Sequence, residues 1–133
     1  MFRLMTTLVS LLALFGYSNL QAQTKPKWAV PSAASKIENP VGSGTATLAS
    51  AKILYLNNCS PCHGEKGKGN GPASASLVPK PADHSSAVFQ SQTDGAIFYK
   101  LSEGRSPMPA YKTILSDQQR WSLVSYLRTL KKN

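Results

Sequence analysis

Between residues 45 and 58 the apolar positions Leu48, Ala51, Leu54 and Tyr55 recur three or four residues apart, which puts them on one face of a helix. A second helix is expected from a cap at Thr93 or Asp94, through Ala96, Ile97, Tyr99 and Lys100, to a stop at Gly104. The third is the best specified. Ser116 and Gln119 have the spacing of a capping box, and Asp117 suits the positive end of the helix dipole. Its stripe runs Trp121, Val124, Leu127 and Leu130, with Leu123 beside it, and Arg128, Lys131 and Lys132 stand near its end, where cations are favoured. No segment has the two-residue alternation of strands, so the pattern predicts an all-α domain.

The segments outside these helices differ from one another in character. Arg3 precedes an apolar run from Leu4 to Tyr17, followed by Ser18-Asn19 and the small Ala22, the order of a secretory signal peptide. The run is shorter than the roughly 20 residues needed to cross a bilayer, so cleavage after Ala22 is preferred to an uncleaved anchor, although Leu20 is larger than that cleavage favours. Residues 23–44 hold three prolines, several serines and a single aromatic side chain, Trp28. They read as an extended arm, either a disordered leader or a strap that docks Trp28 on the domain. Residues 45–133 form the domain itself. Within it, Gly64 to Gln92 is rich in Gly, Pro, Ser and Ala and has no helical period; so long a loop needs something bulky to organise it.

Composition sharpens this picture. The chain of 133 residues has 15 Lys and Arg against 6 Asp and Glu, a net charge of +9. Removing residues 1–22 takes away one charged residue, Arg3, and two of the three methionines, leaving Met108. Two histidines, His63 and His84, and two cysteines, Cys59 and Cys62, complete the inventory of ligand-type side chains outside the carboxylates. A disulfide between Cys59 and Cys62 would close a very small loop and stabilise little, so the pair needs a chemical explanation.

Cys59-Ser60-Pro61-Cys62-His63 has the C-x-x-C-H form of a haem-attachment site. Two thiols at this spacing can each add to one vinyl group on a porphyrin edge, and the adjacent imidazole then lies under the iron. A thioredoxin-like redox pair competes, but needs βαβ units; a structural zinc site competes, but needs four ligands, and His84 lies in a Pro- and Ser-rich loop. Met108 stands between Pro107 and Pro109, where no helix can form, and a stiff loop suits a thioether held against iron. A core methionine is the alternative. His84, the rival sixth ligand, reads as an exposed loop histidine.

Three segments, CSPCHGEKGKGNGP (59–72), TDGAIFYKLSEGRSPMPAY (93–111) and the SDQQRWSLVSYLRTL helix, in this order, resemble the class I single-haem cytochromes c of bacteria. The resemblance spans about Thr45 to Leu130. It implies three to five short helices wrapped around one covalent haem c. By that resemblance the cofactor-binding residues are Cys59, Cys62, His63, Pro72 and Met108, with His63 and Met108 on the iron and the Pro72 carbonyl accepting from the other His63 nitrogen. It also implies a crossing of first and last helices, with Tyr55 meeting Tyr126 or Trp121. Two departures stand out. Ala51 occupies a frequent glycine position, which would widen the crossing slightly, and His84 occupies a place that is usually apolar.

An iron with both axial positions filled suits electron transfer rather than substrate binding. The expectation is therefore a periplasmic electron carrier without catalytic residues. It would run between a quinol-oxidising complex or dehydrogenase and a terminal oxidase or reductase. Lys66, Lys68, Lys80, Lys100, Arg105 and Lys112 flank the haem motif or the Met108 loop and would steer acidic partners. A haem subunit fixed in a larger respiratory complex, and a peroxidase-like or gas-binding haem, are the alternatives. Neither nucleic acid nor stable membrane insertion after leader removal is expected.

Overall fold

The computed structural model describes residues 27–132; the leader expected at 1–22 and the first residues of the arm lie outside them. Among the described residues the fold is helical, without strands. The elements are α1 (Ser32–Ser35), α2 (Thr45–Asn58), α3 (Ser60–His63), a 3-10 turn (Pro72–Ser76), α4 (Ala87–Gln90), α5 (Asp94–Glu103), a second 3-10 turn (Tyr111–Thr113) and α6 (Asp117–Thr129). No helix among them is long and apolar enough to cross a membrane.

The three expected helices are present, and the starts of the last two follow from local chemistry. The Thr93 hydroxyl accepts from the Ala96 amide at 3.2 Å, which makes Thr93, not Asp94, the cap of α5. At α6 the Gln119 amide donates to Ser116 Oγ at 3.2 Å while the Ser116 amide donates to Gln119 Oε1 at 2.9 Å, the reciprocal pair of a capping box. Helix α5 stops at Gly104, whose φ of +64° is costly for any residue with a Cβ.

The core forms where α2 crosses α6 and α5 packs beside them. Tyr55, Leu123 and Val124 are completely buried, and each such side chain contributes about 1.5–3 kcal/mol through burial. The crossing aromatics are Tyr55 and Tyr126, with ring centroids 5.3 Å apart at 49°. Trp121 instead stacks on Phe98 of α5 at 3.8 Å. Ala51 is fully buried at the same crossing.

The stretch from Gly64 to Gln92 is more ordered than its composition suggests. Its backbone folds back on the cysteine turn: Gly69 N–H donates to the His63 carbonyl at 2.8 Å, Gly71 N–H to the Cys62 carbonyl at 3.1 Å, and His84 N–H to the Gly67 carbonyl at 2.6 Å. Further along, Asp83 accepts from the Ser85 amide and hydroxyl at 2.8 and 2.6 Å, and Ser86 caps α4. The chain's own hydrogen bonds thus organise part of a segment that by composition alone called for an external organiser.

The arm is docked rather than free. It carries the short helix α1 and lies along α5 and α6. Asn39 Nδ2 donates to the Trp121 carbonyl at 3.2 Å and to Ser125 Oγ at 2.9 Å, and Ser125 Oγ reaches the Val41 carbonyl at 3.3 Å. A Cβ added at Gly95 of α5 would lie 2.1 Å from the Ala34 carbonyl oxygen, so glycine is what lets the arm approach this helix.

Candidate cofactor site

Helix α2 runs directly into the cysteine turn, because the Cys59 amide continues its ladder to the Tyr55 carbonyl at 2.8 Å. The Cys62 and His63 amides then both donate to the Cys59 carbonyl, at 3.2 and 2.8 Å. One helical turn therefore sets the two thiols and the imidazole side by side. Cys59 and Cys62 are not joined in a disulfide; Cys59 is buried and Cys62 partly so. Burial, and secondarily Cys62, pushes the Cys59 thiol up to about 12. A buried thiol without a charge partner is not a stable thiolate site, but it is compatible with a neutral thioether.

The opposite wall comes from the segment after α5. Arg105 and Met108 pair backbone to backbone, Arg105 N–H to the Met108 carbonyl at 3.0 Å and Met108 N–H to the Arg105 carbonyl at 2.9 Å. Ser106 and Pro107, joined by a cis peptide, form the tip of this hairpin. The half-buried Met108 packs against the core. Tyr111, just beyond, ties this wall to the first one: its hydroxyl donates to the Asn58 carbonyl, next to Cys59, at 2.6 Å.

Cys59, Cys62, His63 and Met108 all line one cavity of about 220 Å³, which is walled mainly by apolar side chains including Ile97, Leu101 and Leu127. Among the described residues no group of three or more His, Cys, Asp or Glu forms a metal cluster. The residues fit a haem. Two thiols stand one turn apart beside an imidazole, a thioether faces the same apolar space, and the cations Lys80, Lys100 and Arg105 are among its lining.

Two sequence expectations change. The His63 ring does not take its partner from Pro72: Nδ1 lies 3.0 Å from the Ala82 carbonyl oxygen. Pro72 begins an exposed 3-10 turn, whereas the bond from His84 N–H to Gly67 draws the Ala82 segment across the ring. The consequence for the imidazole is the same, since a carbonyl at Nδ1 leaves Nε2 with its lone pair free. Burial also lowers the His63 pKa, opposed by the Ala82 bond, which favours the neutral, ligating form.

His84 is not an exposed loop residue either. It is 7% exposed, its ring stacks on His63 with centroids 4.0 Å apart at 20°, and its Nδ1 lies 3.4 Å from the Tyr55 hydroxyl, which itself donates to the Gly64 carbonyl at 2.9 Å. Burial, with His63 second, holds its pKa well below the usual value. Two rings stacked face to face lie side by side.

Trp28, Ala82 and Tyr111 line or support the cavity without having been singled out for that role by sequence. For Trp28 a signal did exist, because a lone aromatic in a polar arm often finds a pocket. Ala82 could not be found this way, since only its backbone acts.

A family model for Cytochrome c matches residues 48–131. No curated protein matches the chain. Among solved structures, a chain of the reducing HAO-like protein complex Kustc0457/Kustc0458 of Kuenenia stuttgartiensis is similar at 26% identity and a TM-score of 0.62, covering 70% of this chain and 47% of that one. This protein thus corresponds to about half of that longer chain. The KustC0563 c-type cytochrome is similar at 27% identity and a TM-score of 0.54, covering 62% of this chain and 98% of that one. The family implies covalently bound haem c, for which Cys59 and Cys62 are in place. Matched over more than half of its length, the chain belongs to the cytochrome c family.

Proposed function

We propose that this protein is an exported, periplasmic single-haem cytochrome with His63 and Met108 as axial ligands, passing single electrons between respiratory redox proteins without catalysing a reaction of its own. The observation that supports this reading best is that Met108 and the Cys59–His63 turn, from separate elements, face one apolar cavity. Haem in such a site supplies a one-electron iron couple. The protein does the rest. Cys59 and Cys62 anchor the cofactor. Ala82 orients His63, and the Arg105–Met108 hairpin presents a thioether. The apolar lining excludes water, which favours the less charged reduced state. With a single C-x-x-C-H in the chain, one haem is the expected number.

Replacing Met108 with Ala tests the axial pair. The ferric spectrum should turn high-spin, and the reduced variant should bind carbon monoxide rapidly and completely at neutral pH, while the parent does not. An unchanged spectrum in the variant would exclude Met108 as ligand, and fast carbon monoxide binding by the parent would favour a gas-binding or peroxidase-like haem. Similarity to a chain of a multi-protein complex supports a second reading, a subunit held in a larger redox assembly. Gel filtration of native extract separates the two: a free carrier elutes near its own small mass.

A further inference from the structure

Trp28 stands outside the helical domain in sequence, yet it lines the cofactor cavity. It is carried there by a strap fixed at several points. Carbonyls of Ala34 and Ile37 sit against Gly95, and Asn39 and Val41 are bonded to α6. From this fixed base the indole reaches the hairpin that bears Met108. The Arg105 guanidinium lies over its face with Cζ 4.7 Å from the ring centroid, and Lys100 Nζ approaches the ring at 5.8 Å. Arg105 is also the residue whose backbone pairs twice with Met108. One residue therefore joins the strap, through its side chain, to the proposed axial ligand, through its main chain.

We infer that Trp28 is a positioning residue for the Met108 thioether: the strap braces the Arg105–Met108 hairpin and holds the cavity closed on that side. The physical reason is that a two-residue hairpin tip has little packing of its own. Ser106 and Pro107 are exposed, and the hairpin is closed on itself by two backbone hydrogen bonds. A flat aromatic surface that holds the flanking cation adds a restraint on the hairpin without touching the iron. The inference rests on Met108 being the sixth ligand.

The test uses the full-length, haem-loaded protein and imidazole as an external competitor for the ferric iron. Trp28→Ala should raise the rate of imidazole binding about tenfold, the change expected when a cation–π contact of roughly 1.4 kcal/mol is lost from the closed state. Trp28→Phe, which keeps an aromatic face, should restore most of the closed behaviour. The Met108→Ala variant sets the fully open limit. If it exposes the iron and Trp28→Ala exchanges imidazole no faster than the parent, the bracing role is wrong while the axial pair stands. If Met108→Ala changes nothing, the ligand reading beneath it fails instead. Should Trp28→Ala be less stable overall, amide hydrogen exchange decides. Faster exchange confined to the Arg105 and Met108 amides supports the brace, and uniform loss of protection through α6 overturns it.

Discussion

Tyr111 shows how one side chain can couple packing to pH. Its hydroxyl donates to Asn58 between the two walls of the cavity, and burial, with Cys59 and Cys62 behind it, pushes its pKa up to about 12. A tyrosine in the unfolded chain ionises near 10, so the folded state holds this proton to higher pH. The associated stability is complete below pH 10 and is lost as pH rises toward 12. Burial raises Tyr55 and Tyr126 as well, so they add to the same loss. In Tyr111→Phe the fall in melting temperature between pH 10 and 12 should be shallower, from a starting point about 1 kcal/mol less stable for the missing hydrogen bond. Equal slopes in the two proteins would show that Tyr111 does not carry this effect.

Between helices, Arg128 does more than complement a helix dipole. From the last turn of α6 it donates to the Gln90 carbonyl at 2.9 Å, the Gln92 carbonyl at 2.6 Å and, with two nitrogens, to Asp94 Oδ1 at 2.8 and 2.6 Å. It thereby ties the end of α4 and the start of α5 to α6. Arg128→Ala should cost about 2–3 kcal/mol, because charge-assisted bonds are lost and two partly buried carbonyls lose their donor. Thermal or denaturant unfolding measures this; a loss below about 0.5 kcal/mol would make the bonds incidental surface pairing. Arg120 is more deeply placed. It is bonded to Ser102 and Asp117, with Cζ 4.8 Å from the centre of the Phe98 ring, and only its Nε lacks a partner among the described residues. The apolar stripe of α6 did not announce this arginine, since a cation at that position reads as solvent-facing.

Taken together, the charged side chains make the molecule strongly basic, and several lysines remain exposed around the cysteine turn and the loops near the cavity, among them Lys66, Lys68, Lys80 and Lys112. Lys112 is engaged with Glu103 at 2.6 Å, but that pair is exposed and worth little. A positive field of this kind accelerates encounters with anions at low salt. The rate of reduction of the ferric protein by ferrocyanide should therefore fall as ionic strength rises from about 10 to 200 mM, across which the screening length shortens from roughly 30 Å to below 10 Å. A rate independent of salt would mean that the exposed redox edge lies away from the basic surface.

The helices, their caps and the cofactor chemistry were legible without coordinates, because each is local. A capping box spans four residues, a helical stripe is periodic, and C-x-x-C-H places its reactive groups on a single turn whatever surrounds it. The long-range arrangements were not legible. Nothing in Pro81-Ala82-Asp83-His84 reveals that the Ala82 carbonyl meets His63 or that His84 is buried against it, since backbone groups carry no sequence label and burial depends on what folds over a loop. The docking of the arm was undecided for the same reason. Whether Trp28 binds or drifts depends on surfaces of α5 and α6 that exist only after those helices have packed.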